Sequence, residues 1–281
     1  SKKYICKPPT TKFYPTVRGE VLGRKIFWDA PIDMVRFPYY PERINRFTFA
    51  NSSGVAAGKD YIDACTRALL EYSERHFLMK HWLLQIPFRP FKKSTLPPAI
   101  KEKMKALEKA TGGEIVLAAM NSGSFPHIVA MYIDKKKWPA FQMCAAANFY
   151  KKDAATKALD ELANSIVFCP TLRRKEYLKP SDVVGAREHY SFYHNPENFK
   201  MINNDKLLGW QYIAWGEVKE LTLPRQSLVG LDFLHPLLTN SHKDFGEVTA
   251  FNITAPETVD FGLTVVRIIS EKGIPLWFGH S

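Results

Sequence analysis

Three residues in one stretch, Glu71-x-x-Glu74-Arg75, carry the first candidate chemistry in this sequence. At helical spacing they share one region of a helix surface, with Arg67 one turn before Glu71. Alone, such a row also reads as a solvated, salt-bridged helix face. The glutamate, however, occurs twice. Residues 54–75, GVAAGKDYIDACTRALLEYSER, align without a gap to residues 144–165, CAAANFYKKDAATKALDELANS. Eight of 22 positions are identical, among them Ala56/Ala146, Asp63/Asp153, Leu69/Leu159 and Glu71/Glu161, and Arg67 faces Lys157. If two related helices present Glu71, Glu74 and Glu161 to one point, the carboxylates repel unless a cation joins them. Magnesium suits that role, because it takes hard oxygen ligands and bridges carboxylates to substrate phosphates. Arg75, Arg67 and Lys157 then suit the phosphates, Arg being the bidentate partner.

Each copy reads as a small-residue loop followed by a helix. Gly54 to Gly58 leave the backbone open to a ligand. The helix begins near Asp60 to Asp63 and runs to about Trp82, with Leu69, Tyr72, His76 and Met79 as its buried stripe. In the second copy Lys157, Glu161 and Asn164 hold the positions of Arg67, Glu71 and Glu74. Residues 115–120 and 128–133 read as strands around an Asn-Ser-Gly-Ser loop, and 248–253 and 263–269 read as two more. Strands and helices alternate, so the class is α/β or α+β. We expect a single domain over residues 1–281, built of two pseudo-symmetric halves with mixed sheets flanked by helices. Two copies are too few for a solenoid.

Composition narrows the function. With 46% hydrophobic residues and 281 positions, the chain can bury a large core. No run of apolar residues is long enough to span a bilayer, and no membrane partner is expected. Cys6, Cys65, Cys144 and Cys169 form no C-x-x-C pair, which suits a reducing cytoplasm. Cys65 and Cys144 sit beside alanines and read as fillers of small buried spaces. The net charge of +11 favours anionic partners, yet its clusters are short, and no nucleic-acid motif supports nucleic acid as that partner. P-loop, dinucleotide, H-E-x-x-H and G-x-S-x-G signatures are absent. His189 and His194 stand at i,i+5, a poor spacing for helical metal ligands, and read as structural or substrate-contacting.

NSSGVAAGKDYIDACTRALLEYSERH resembles the first block of YcaO domains, where an Asn/Ser-Gly loop leads into a helix ending in E-x-x-E-R. The second copy resembles a later block of that family. REHYSFYHNPENF (187–199) and ITAPETVDFGLTVVRIISEKGIPLWFGH (253–280) resemble two further blocks of its peptide-modifying members. The resemblance implies ATP and Mg2+ as cofactors, with Glu71, Glu74 and Glu161 holding the metal and Arg75 on the phosphates. It places Ser53 and Gly54 beside the nucleotide, matches Arg267 to the basic residue of the closing block, and puts Asn164 where glutamine is usual. Arg67 stands where serine is common, and no Pro-rich tail is visible. The implied reaction starts when a Cys, Ser or Thr side chain of a ribosomally made precursor peptide attacks the preceding carbonyl. The resulting oxyanion takes the γ-phosphoryl group, and phosphate leaves behind a thiazoline or oxazoline. Arg75 and Glu74 are the implied catalytic residues, and the catalysis is positioning and charge neutralisation. Thioamide formation and a non-catalytic scaffold remain alternatives. Residues 1–50 do not read as a leader-binding module, so a separate, E1-like or similar partner is expected to recruit the peptide, in a homodimer or hetero-oligomer.

Overall fold

The structure is a computed structural model, and it describes residues 14–37, 51–122, 125–169, 178–199, 207–209, 211–221 and 234–275. Cys6 and the end of the closing block, 276–280, lie outside the described residues. The chain divides into two compact units, one of Ser1–His76 with Leu223–Leu276, the other of Phe77–Thr222 with Trp277–Ser281.

The first unit is built on a five-stranded sheet. Its strands are β1 (Thr16–Val21), β2 (Phe27–Pro31), β3 (Val55–Gly58), β8 (Val248–Asn252) and β9 (Thr264–Ser270), in the order β2-β1-β8-β9-β3. The short helix α1 (Ile32–Val35) follows β2. Helix α2 (Tyr61–Leu83) starts after β3 and continues past His76 into the second unit. Its expected stripe is confirmed, since Leu69, Tyr72, His76 and Met79 are all buried. Gly58 ends β3 where the first turn of α2 approaches: a Cβ there would stand 2.3 Å from the Ala64 nitrogen.

The second unit carries a four-stranded sheet. Its strands are β4 (Arg89–Pro90), β5 (Glu114–Ala119), β6 (His127–Ile133) and β7 (Phe141–Ala147), in that order. Helices α3 (Pro98–Thr111) and α4 (Lys151–Phe168) share its core. Ile100 and Met104 of α3 and Ala158, Leu159 and Leu162 of α4 join Ile115, Leu117, Ile128 and Ala130 of the sheet. Helices α5 (Ala186–His194) and α6 (Pro196–Phe199) follow, while α7 (His235–Phe245) and α8 (Pro256–Val259) belong to the first unit.

The class is α+β, and both sheets are antiparallel throughout. The parallel pairings among the described residues are two isolated bridges, Phe88 to Leu208 and Phe91 to Ile213. Short links explain the pattern, because β1–β2, β5–β6, β6–β7 and β8–β9 are each joined too briefly for a parallel crossover. The sequence repeat has a structural counterpart. Helix α2 starts at Tyr61 and α4 at Lys151, the same offset that aligns the two segments, and each follows a strand. Asp63 and Asp153 sit in the matching first turns, where an acidic residue favours the helix start.

Candidate functional site

The loop ahead of β3 folds onto itself before it meets α2. The side-chain oxygen of Asn51 accepts the Ser53 N–H at 3.0 Å, a local turn that asparagine makes readily. Gly54 then turns with φ +77, a conformation in which a side chain is strained. The space is closed as well, since a Cβ would lie 2.7 Å from the Ile268 carbonyl oxygen and 2.9 Å from Tyr72. The Ile268 N–H donates to the Gly54 carbonyl at 2.7 Å, tying the turn to β9.

Glu71 of α2 answers this turn. One carboxylate oxygen accepts the Gly54 N–H, and the other takes Nη2 of Arg75 at 2.6 Å. Arg75 also donates Nη1 to the Ser52 hydroxyl at 3.0 Å and to Ser53 at 3.4 Å. From β9, Arg267 donates Nη1 to the Asn51 carbonyl and Nη2 to its side-chain oxygen at 3.4 Å. Arg267 is buried, only 6% exposed. Burial lowers its pKa to about 10, Glu71 and Tyr72 oppose that shift, and Arg75 adds to it. It therefore stays cationic at neutral pH. Glu74, one turn along, is buried.

The closing block anchors to the same helix. Ser270 donates its hydroxyl to Tyr72 at 3.1 Å, and the Ile274 N–H donates to Nδ1 of His76 at 3.1 Å. Burial raises the Tyr72 pKa, so the phenol stays neutral.

These contacts gather Ser53, Gly54, Glu71, Arg75 and Arg267, all anticipated from the sequence, into one network in the first unit. Asn51 and Ser52 complete it and were not anticipated, although the Asn-Ser-Ser-Gly run is itself a turn signal. Arg67 is placed differently, bonded to Asp63 at 2.9 Å on an exposed part of the helix. Burial works to raise the Asp63 pKa, but Arg67 and the Lys59 N–H outweigh it and hold the carboxyl below its usual range.

In the second unit, Lys157 and Glu161 pair at 3.6 Å on the exposed side of α4, near Asn164. The position of Arg75 is there taken by Ser165, which accepts the Gln142 side-chain amide. Gln142 in turn accepts Nε2–H of His194 at 2.7 Å, with the Cys169 sulfur 3.6 Å from the same nitrogen. Burial and, secondarily, His189 lower the His194 pKa to about 4, and burial raises Cys169 to about 11. The pair is neutral and buried, so His194 serves the interior. His189 packs its ring against Tyr193 and Trp82. Cys65 is fully buried and Cys144 partly buried against the second core, as small fillers would be.

Among the described residues no three His, Cys, Asp or Glu side chains form a ready-made metal cluster. Magnesium does not require one, since it is usually held by one or two carboxylates plus substrate phosphates. The residues of the first unit fit such a group. Glu71 and Glu74 are hard oxygen donors, two guanidiniums lie beside Glu71, and the buried Nε of Arg267 has no partner among the described residues. No helix among them is long and apolar enough to cross a membrane.

No curated protein matches the chain at a significant level. Its fold is similar to that of YcaO from Methanopyrus kandleri bound with AMPPCP and Mg2+, with a TM-score of 0.68 and 16% identity over 94% of this chain and 66% of that one. A heterocyclase in complex with substrate and cofactor gives a TM-score of 0.73 at 14% identity, over 95% of this chain and 34% of that one. The E. coli microcin synthetase McbBCD complex with pro-MccB17 bound gives 0.60 at 16%, over 92% and 64%. The chain thus spans between a third and two thirds of the solved chains it resembles. The family model described as YcaO cyclodehydratase, ATP- and Mg2+-binding, matches residues 11–271, and the chain belongs to the YcaO family.

Proposed function

We propose that this chain activates backbone amides of a ribosomally made peptide in an ATP- and Mg2+-dependent reaction, closing Cys, Ser or Thr residues to azolines. The observation that carries the reading is the double engagement of Glu71 by the Gly54 N–H and Arg75, in a chain of this family. ATP and Mg2+, when bound, supply a route by which the amide oxygen leaves as phosphate. Glu71 and Glu74, with Glu161 of the second copy, would hold the metal. Arg75, Arg267 and Lys157 would carry positive charge to the phosphates, with Asn164 in supporting contact. Ser53 and Gly54 would line the nucleotide side of the loop. Arg75 acts by neutralising charge that grows in the transition state, which is where such a group accelerates a reaction. A peptide substrate and a separate recruiting protein fit the printed descriptions of the neighbours, which include a substrate complex and a multi-protein synthetase. Free thiols at Cys65, Cys144 and Cys169 suit work in the cytoplasm.

The test is peptide-dependent phosphate release from ATP, with mass spectrometry of Cys/Ser/Thr-rich test peptides. Loss of one water for each modified residue is the expected result. Exchange of oxygen for sulfur would assign thioamide formation instead. Binding of nucleotide and peptide without phosphate release would make the chain a scaffold and overturn the enzymatic reading.

A further inference from the structure

Among the described residues, the β1–β2 hairpin leaves one edge of the five-stranded sheet open. The Val21 N–H donates to the Ile26 carbonyl at 2.9 Å, and the Ile32 N–H to the Pro15 carbonyl at 2.9 Å. Between these anchors Gly19 faces Trp28 and Val17 faces Ala30. Antiparallel pairing alternates, so Trp28 and Ala30 turn their backbone groups to β1, while Phe27 and Asp29 turn theirs outward. Neither Phe27 nor Asp29 has a backbone partner on that side among the described residues. Sheet edges are commonly blunted with charge, proline, a bulge or a cover. Here Pro31 ends the run, and Arg18 holds the Asp29 carboxylate through two bonds of 3.0 Å. The rest of the edge is apolar and open: Ile26, Phe27 and Trp28 are 52, 64 and 46% exposed. Trp28 is steadied by Phe251, their ring centres 6.2 Å apart. Lys25 before the strand and Arg36 after α1 are exposed, and neither is in an ion pair among the described residues.

We propose that the β2 edge receives an extended acidic segment of a second, different polypeptide, added as a strand along Phe27–Asp29. Its main chain would pair with the outward groups of Phe27 and Asp29, and its side chains, alternating between the two faces, would meet Phe27 on one face and Trp28 on the other. Strand addition draws affinity from the main chain and specificity from alternate side chains. Lys25, Arg36 and the net charge of +11 select acidic sequence. The same charge opposes a second copy of this chain as the occupant. The inference stands apart from the loop–helix site, because it requires neither nucleotide nor turnover.

The probe is a labelled peptide of about six residues, a usual strand length, alternating valine and glutamate, followed by fluorescence anisotropy with the full chain and no ATP. Saturable binding is expected, weakening as salt rises. Phe27→Pro removes one outward N–H yet leaves the ladder to β1, and it should weaken binding about tenfold, the worth of one backbone hydrogen bond. Phe27→Glu, which keeps that N–H, should weaken it at least as much by charge. Circular dichroism melting verifies that both variants stay folded. Absent binding, equal binding to both variants, or equal binding of a valine–lysine peptide would overturn the proposal. A dimer in sedimentation that Phe27→Glu dissolves would also overturn it, by making a second copy the occupant.

Discussion

Arg267 donates to the backbone carbonyl of Asn51 across 216 positions of sequence, so the last strand of the sheet holds the loop that leads into the first repeat. The bond joins two ends of a site whose remaining members, Gly54, Glu71 and Arg75, lie within one loop–helix unit. A buried cation therefore fixes the turn from behind, while Glu71 fixes it from the helix.

That double fixation makes Gly54 sensitive. Gly54→Ala forces a side chain into a left-handed turn and against the Ile268 carbonyl. We expect a loss of about 1–3 kcal/mol in urea unfolding, the usual cost of strain at such a position, together with weakened Mg-ATP binding. Unfolding at the parental midpoint would show that the turn relaxes freely.

Glu71 and Glu161 are predicted to serve one nucleotide site. Calorimetry with Mg-ATP should show one saturable site per chain, lost in Glu71→Ala and in Glu161→Ala alike. Parental binding in Glu161→Ala would confine the site to the first repeat.

Arg75→Lys retains the charge but loses the planar fork that reaches Glu71, Ser52 and Ser53. Turnover should fall by about 10²–10³, the effect of removing one donor to developing charge. Melting should move little, because an i,i+4 ion pair contributes only about 0.3–0.5 kcal/mol. A large fall in melting temperature with activity lost in step would return Arg75 to a structural role.

His194 gives a pH signature independent of catalysis. Its pKa is lowered to about 4 from an ordinary 6.5, chiefly by burial, so the folded chain resists a proton that the unfolded chain accepts. The stability this neutral histidine contributes is present above pH 6.5 and is lost as pH falls towards 4, a change on the order of 3 kcal/mol. His194→Gln should flatten that part of the stability profile measured by urea unfolding at several pH values. A slope identical to the parent's would place the titration elsewhere.

The helices, the repeat and the acidic row were legible in the sequence because they are local. A period of three to four residues marks the buried stripe of α2, and an ungapped duplication keeps helix starts in register. Gly54 and Arg75 were legible for the same reason, lying within a single loop–helix unit. Tertiary structure alone decided the partners. Asn51 became part of the site through Arg267, and Arg67 turned to Asp63 although its spacing suits Glu71 equally well. Sheet order was equally hidden: β8 and β9 lie between β1 and β3, and β2 is left at the edge. Residue spacing specifies which side chains share a helix face. Which strands become neighbours depends on how the whole chain buries its apolar surface, and that brings together residues with no local relationship.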